Sequence, residues 1–190
     1  KTYNLCKKYK DQMAVDNVSM TIRKGDIYGF IGQNGAGKTT LIRMITGLAH
    51  RTSGEIELFG GSGEEALNKG REFIGSLIES PAFYKNMTAR ENVFLNGTVL
   101  GHSRKFMEEH FDEIIEFAEL QDFLDVPIKN FSSGMQARLG FAIATMVQPD
   151  ILVVDEILSV GDYQFQQKCY KRMEQMLRGG TTLLYVSHDV

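Results

Sequence analysis

Gly32-Gln-Asn-Gly-Ala-Gly-Lys-Thr39 decides the fold of this 190-residue chain. The stretch fits G-x-x-x-x-G-K-[ST], the pattern of a loop that wraps phosphate groups. Before it, Asp26-Ile-Tyr-Gly-Phe-Ile31 is apolar and β-prone and reads as a buried strand. After it, Thr40-Leu-Ile-Arg-Met-Ile-Thr-Gly-Leu48 has helical periodicity. A glycine-rich turn alone would say little, but strand, glycine loop and helix in succession form the context that phosphate binding needs. Glycines lack a Cβ, so backbone N–H groups along Gln33, Asn34, Gly35, Ala36 and Gly37 can turn onto phosphate oxygens. The helix start, with Thr40 in its first turn, adds about half a positive charge at the same place. Lys38 is then expected on the β- and γ-phosphates of a nucleoside triphosphate, and the Thr39 hydroxyl on Mg²⁺.

Working outward, the composition is that of an ordinary globular protein, with 43% hydrophobic residues and a formal net charge of −3. Near-neutral charge argues against bulk nucleic-acid binding, which calls for a basic stripe. Cys6 and Cys169 are isolated and lack metal-type spacing, so a reducing cytosol is the simplest compartment. No apolar run approaches the roughly 20 residues that span a bilayer, and Lys1 to Lys10 is too polar for a signal peptide. The chain begins inside an expected strand and stops at Val190 directly after another, so both termini read as truncated.

Up to Gly25 the pattern predicts strands at Met13–Asp16 and Val18–Arg23 with a Lys24-Gly25 turn. Ser53–Phe59 reads as a short strand closed by Gly60-Gly61, Glu64–Gly70 as a short helix, and Phe73–Ile78 as a strand. From Pro81 to about Val126 the character is helical, with Thr88-Ala-Arg-Glu91 as a capping box and Phe106, Phe111, Ile114, Ile115 and Ala118 on one apolar face. Ile151-Leu-Val-Val-Asp155 and Thr181–Ser187 are apolar runs ending in polar residues, as in the centre of a parallel sheet. Such sheets bind ligands at the carboxyl ends of their strands, where the phosphate loop, Asp155 and His188 all fall.

Asp155 after four aliphatic residues is placed to hold Mg²⁺, and Glu156 beside it can orient or deprotonate an attacking water. Phe131-Ser-Ser-Gly-Met-Gln-Ala-Arg-Leu139 opens a helix running to about Val147. Ser132 and Ser133 are N-cap types there, and Gly134 permits close approach of a ligand.

This order of motifs resembles the nucleotide-binding domain of ABC transporters over nearly the whole chain. The resemblance implies an α/β P-loop NTPase core of ABC type with a mixed sheet, an N-terminal antiparallel β part and a helical subdomain at about 82–147, all in a single domain of residues 1–190. It makes Phe131–Met135 the signature loop, with Ser132, Ser133 and Gly134 on the γ-phosphate held by an opposing subunit. Tyr9, 29 residues before Lys38, matches the aromatic that stacks on adenine. Ser159-Val-Gly-Asp162 resembles the D-loop that crosses the dimer interface, and His188 resembles the switch histidine at the γ-phosphate. Catalysis is thereby expected from Glu156, His188 and Lys38, and metal ligation from Thr39, Glu79 and Asp155.

Three positions depart from the family pattern. Glu79 stands where a glutamine normally ligates Mg²⁺, Ser133 replaces a glycine, and Ile157-Leu158 replaces the usual Pro-Thr. A carboxylate at position 79 can ligate Mg²⁺ but opposes the γ-phosphate more strongly. Ile74-Gly-Ser-Leu-Ile-Glu-Ser-Pro-Ala-Phe-Tyr84 resembles the bacitracin and lantibiotic resistance branch. Glu91-Asn-Val-Phe-Leu-Asn-Gly97, Val154–Asp162 and Phe165-Gln-Gln-Lys-Cys169 resemble ATPases exporting O-antigen polysaccharides and teichoic acids, and this longer likeness is preferred. The expectation is an ATP-hydrolysing subunit that uses ATP and Mg²⁺, pairs with itself or a paralogue, and powers export through a separate transmembrane permease. It would sit peripherally on the cytoplasmic face of the cell membrane, with no span of its own and no nucleic-acid partner. An antibiotic-peptide efflux ATPase is the alternative, and a soluble ABC ATPase outside transport a more distant one.

Overall fold

The computed structural model describes residues 1–77, 83–99, 102–146, 148–155 and 162–187, with only the backbone of Leu77, Asp155 and Ser187. In chain order the elements begin β1 (Thr2–Tyr9), β2 (Gln12–Met20), β3 (Ile27–Ile31), α1 (Lys38–Ile45), β4 (Ser53–Ile56), α2 (Glu64–Arg71) and β5 (Ile74–Leu77). They continue α3 (Ala89–Val99), α4 (Arg104–Ala118), α5 (Ser133–Ala144), β6 (Ile151–Asp155), α6 (Tyr163–Arg178) and β7 (Thr182–Ser187). The chain divides into two units. One takes Lys1–Ile78, Pro149–Glu156 and Gly180–Val190, and the other Glu79–Gln148 and Ile157–Gly179.

In the first unit the antiparallel and parallel pairings fall in separate sheets, ordered β2-β1-β4 and β3-β7-β6-β5. β6 and β7 take the two central places, which explains their unbroken apolar runs: both faces of a central parallel strand are covered. Leu152, Val153, Val154, Leu184 and Val186 are buried accordingly. Helix α1 adds Leu41, Ile42, Met44 and Ile45 to a core shared with Leu5, Val15, Ile56 and Leu67. Full burial of each such side chain stabilises by about 1.5–3 kcal/mol, so α1 is firmly seated behind the phosphate loop.

Some boundaries differ from the sequence expectation. β2 is one bulged strand instead of two runs, because Asn17 takes φ 52 without ending the ladder. Its pairing stops at Met20 opposite Thr2, so Thr21–Arg23 is not strand. β4 ends at Ile56, because Leu58 and Gly61 close a tight turn with Phe59 at φ 51.

The second unit packs α3, α4 and α5 around Val93, Met107, Phe111, Ile114, Ile115, Leu139 and Ile143. The expected capping box starts α3: the Thr88 N–H donates to Glu91 Oε2 at 2.8 Å and the Glu91 N–H to Thr88 Oγ1 at 3.2 Å. The Thr88 N–H thereby holds the Glu91 carboxyl below its usual range. The helical stretch expected from Pro81 to Val126 is thus two helices. Ser103 caps α4 by accepting from the Phe106 N–H, and Glu119 ends it in the left-handed region. A Cβ on Gly97 would lie 2.1 Å from Met107 Sδ, so any larger residue there makes the buried Met107 side chain repack where α3 meets α4. The sequence reading assigns no helix to 163–178. The structure makes it α6, burying Phe165, Cys169, Met173 and Met176 at helical spacing. Burial pushes the Cys169 thiol up to about 12, which leaves it unreactive.

Asn92 is fully buried and ties α3 to the turn before it. Its Oδ1 accepts from the Tyr84 N–H at 2.9 Å, and its Nδ2 donates to the carbonyls of Tyr84, Met87 and Thr88. Each buried group left unpaired costs about 1–3 kcal/mol. Asn92→Ala is expected to cost about 2–4 kcal/mol in all, lowering the thermal midpoint by roughly 5–15 °C. A calorimetric shift under about 2 °C, the scale of half a kcal/mol, would show that those backbone groups find other partners.

Candidate nucleotide site

The phosphate loop leaves β3 at Ile31 and enters α1 at Lys38. Gly35 and Gly37 take φ 83 and 88, in the region that side chains disfavour. A Cβ on Gly37 would also lie 2.0 Å from the Ala14 carbonyl oxygen, because β2 backs directly onto the loop. Gly37 is the N-cap of α1 and offers no side-chain acceptor, and among the described residues no side chain caps the helix. By contrast Ser103, Ser132 and Asp162 cap α4, α5 and α6 with their own oxygens. The first helical bond runs from the Leu41 N–H to the Gly37 carbonyl at 2.9 Å. The N–H groups of Lys38, Thr39 and Thr40 precede it and lack helical acceptors. An anion supplies what the cap does not. The Lys38 ammonium lies over the same loop, donating to the carbonyls of Gly32 and, at 3.0 Å, Gln33. No acidic residue stands in the first turn of α1, so the turn itself does not offset the positive field.

A cleft of about 320 Å³ joins the loop to Tyr9. Its lining runs from Asn34 through Thr40 and takes in Tyr9, Gln12 and Ala14. That volume lies at the lower end of small-ligand pockets, about 300–1,000 Å³. Gln33 contributes its carbonyl to Lys38. Tyr9 is half exposed, and the β1–β2 hairpin fixes it there by pairing it with Gln12 across Lys10 and Asp11. Lys7 Nζ stands 4.7 Å from the Tyr9 ring centroid and donates to the His50 carbonyl, so it covers part of the ring. Gln12, Ala14 and Lys7 were not identified from sequence. The signal for Gln12 is its place directly opposite Tyr9 across the two-residue hairpin tip. A second cleft of about 310 Å³, bounded by Met20, Ile22, Ile56 and Leu184, shares no residue with the loop.

The strand register lines up the other candidates of this unit. Ile31, which precedes the loop, pairs with Ser187, and Phe30 pairs with Val186, which in turn pairs with Asp155. Asp155 therefore ends β6 two strands from β3, roughly 10 Å across the sheet. Its carboxylate and the Thr39 hydroxyl are hard oxygen donors of the kind Mg²⁺ takes, with phosphate oxygens and waters completing its shell. That donor set fits the metal. Glu156, His188 and Glu79 lie outside the described residues.

In the second unit, Ser132 caps α5 by accepting from the Met135 N–H at 3.2 Å, which leaves its hydroxyl hydrogen free to donate. The N–H groups of Ser133 and Gly134 precede the first helical bond, from the Gln136 N–H to the Ser132 carbonyl. This is again a helix start able to take an anion. Asp162 directs its carboxylate within its own chain. One oxygen accepts from the Phe165 N–H at 2.9 Å and the other pairs with Arg138. The Phe165 N–H, then Arg138, hold the Asp162 carboxyl below its usual range.

Comparison with known proteins agrees with this geometry. A family model described as ABC transporter matches residues 15–159. The O-antigen export system ATP-binding protein of Klebsiella pneumoniae is 39% identical over 184 residues, covering 96% of this chain and 70% of that protein. The teichoic acids export ATP-binding protein of Lactococcus lactis is 40% identical over 97% of this chain, which spans 37% of its length. Among solved structures, an ATP-binding cassette dimer in a post-hydrolysis state with ADP and Pi superposes with a TM-score of 0.86. It is 26% identical over 99% of this chain and 87% of that one. A phosphate loop open at an uncapped helix start, within a sequence matched by the family model over three quarters of its length, places this chain in the ABC transporter family as an ATP-binding domain with ATPase activity.

Proposed function

We propose that the chain is the ATP-hydrolysing subunit of an exporter of cell-surface polysaccharide of the O-antigen or teichoic-acid kind. Residues 1–190 act as one ATP-binding domain in this reading. Its main support is identity near 40% to export ATPases of both kinds across almost the whole chain. Two copies, or one copy and a paralogue, enclose two ATP molecules head to tail. The likeness to cassettes solved as dimers supports this pairing. Each site takes Tyr9, the phosphate loop, Glu79, Asp155, Glu156 and His188 from one chain and Ser132–Gly134 with Asp162 from the other. Mg²⁺, held by Thr39 and Asp155 with Glu79, would withdraw charge from the phosphate oxygens. Lys38 and the two helix starts hold the triphosphate, and Glu156 takes the proton of the attacking water. Among the described residues no helix is long and apolar enough to cross a membrane. In this reading the link to the bilayer is a separate permease, and the protein sits on its cytoplasmic face.

Deleting the gene in its native host tests the substrate. Surface polysaccharide should disappear while lipid-linked glycan accumulates inside the cell. Normal surface glycan together with new sensitivity to peptide antibiotics would overturn the assignment in favour of antibiotic-peptide efflux.

A further inference from the structure

Arg138 lies in the second turn of α5 and is largely buried. Its Nη1 donates to Glu119 at 2.6 Å, its Nη2 to Asp162, and its Cζ stands 4.8 Å from the Phe165 ring centroid. Two helix ends meet on this one guanidinium, which itself springs from the second turn of a third helix, α5. Glu119 is the C-cap of α4, Asp162 is the N-cap of α6, and α5 carries Ser132 as its own N-cap. Six residues of helix, about 9 Å, separate Arg138 from Ser132, so the two move as one rigid piece. Only arginine suits this place. Its planar fork addresses two carboxylates at once while its face lies on an aromatic ring.

We infer that Arg138 is a positioning residue for the composite ATP site, fixing the Ser132–Gly134 loop and the Asp162 end of the neighbouring loop in one spacing. The inference rests on the paired-subunit reading, in which both loops face the same opposing nucleotide. Within the chain the Asp162 carboxylate accepts from the Phe165 N–H and pairs with Arg138, which fixes its direction. Arg138 thereby ties the helix starts at Ser132 and Asp162 into a single surface. Binding ATP to one subunit does not need that surface, whereas closing two subunits over ATP does.

Arg172 supplies the control. It joins the same helices, donating to Glu113 at 3.0 Å and to the Thr145 carbonyl at 3.1 Å, and among the described residues it bonds to neither Ser132–Gly134 nor Asp162. The test compares Arg138→Ala, Arg138→Lys and Arg172→Ala in the full-length protein. Fluorescence titration with an ATP analogue reads binding to the single subunit. Sedimentation of each variant in the Glu156→Gln background reads ATP-driven pairing, and phosphate release reads kcat. Arg138→Ala should keep single-subunit affinity within about twofold while raising the ATP needed for pairing, and lowering kcat, at least about tenfold, the scale of one lost charged contact. Arg138→Lys should recover only part of this, since one ammonium cannot bridge both carboxylates. Arg172→Ala should lower the thermal midpoint but leave pairing and kcat within about twofold. Should Arg138→Ala fold poorly, Asp162→Asn, which keeps the cap and loses the ion pair, is expected to weaken pairing in the same way. Equal effects of Arg138→Ala and Arg172→Ala on pairing would reduce Arg138 to a packing residue and overturn the inference. Unchanged pairing in Arg138→Ala would overturn it as well. If Glu156→Gln alone fails to pair with ATP, the paired-subunit reading itself is wrong and the inference falls with it.

Discussion

Glu156→Gln is expected to bind ATP as well as the parent or better, and to hydrolyse it 100 to 1,000 times more slowly. The substitution keeps size and hydrogen bonding but removes the group able to accept a proton, an effect of about 10²–10⁴ for a general base. In barrier height the expected loss is about 3–4 kcal/mol. Binding should not suffer, because one negative charge opposite the triphosphate disappears. With turnover blocked, the ATP-bound pair should accumulate and elute as a two-subunit particle. Phosphate release at saturating ATP and size-exclusion chromatography with and without ATP and Mg²⁺ check both halves. A variant that turns over within threefold of the parent rate would remove Glu156 from the role of base. Rapid turnover loss without pairing would keep the base and reject the shared site.

The legible parts of this chain are those whose signal is local. A strand, a glycine loop and a helix start occupy consecutive residues, so β3, Gly32–Gly37 and α1 could be placed without knowing what lies beside them. The same holds for the Thr88–Glu91 box and for Ser132 as a cap, where each hydrogen bond spans three residues. Sheet order was not local. β6 and β7 lie far apart along the chain from β3, and only long-range pairing sets Phe30, Val186 and Asp155 in one row. Helix α6 did carry a signal, with Phe165, Cys169, Met173 and Met176 falling on one face. The glutamines and lysines between them mask that periodicity, because they make the segment polar on average. Asn17 shows the opposite error. A polar residue that looks like a turn can sit at a bulge and keep the strand whole.

The site shows the same division. Tyr9 could be proposed by its distance from Lys38, but Gln12 and Ala14 enter the cleft only because β2 folds back against the loop. Gly37 illustrates how far that coupling goes. Its requirement for glycine comes as much from the Ala14 carbonyl, 23 residues earlier, as from its own φ. Nothing local marks Arg138, since neither Glu119 nor Asp162 is near it in sequence.

Lys38→Ala should separate binding from folding. A cation at the first residue of α1 faces the positive end of the helix dipole, with no acidic residue in that turn to offset it. Removing it relieves an unfavourable interaction of about 0.3–1 kcal/mol. The same change breaks two hydrogen bonds to the Gly32 and Gln33 carbonyls, which together contribute about 1–3 kcal/mol. These opposing effects leave a net loss of no more than about 2–3 kcal/mol, so the thermal midpoint should fall by less than roughly 10 °C. Nucleotide binding has no such compensation. Two charged contacts to the β- and γ-phosphates at about 1.5–3 kcal/mol each imply an affinity loss of at least 100-fold. Calorimetry and titration with a fluorescent ATP analogue measure the two quantities on one preparation. Affinity within threefold of the parent would contradict the phosphate-loop assignment. A collapse of stability with affinity intact would instead make Lys38 a structural clasp for its own loop.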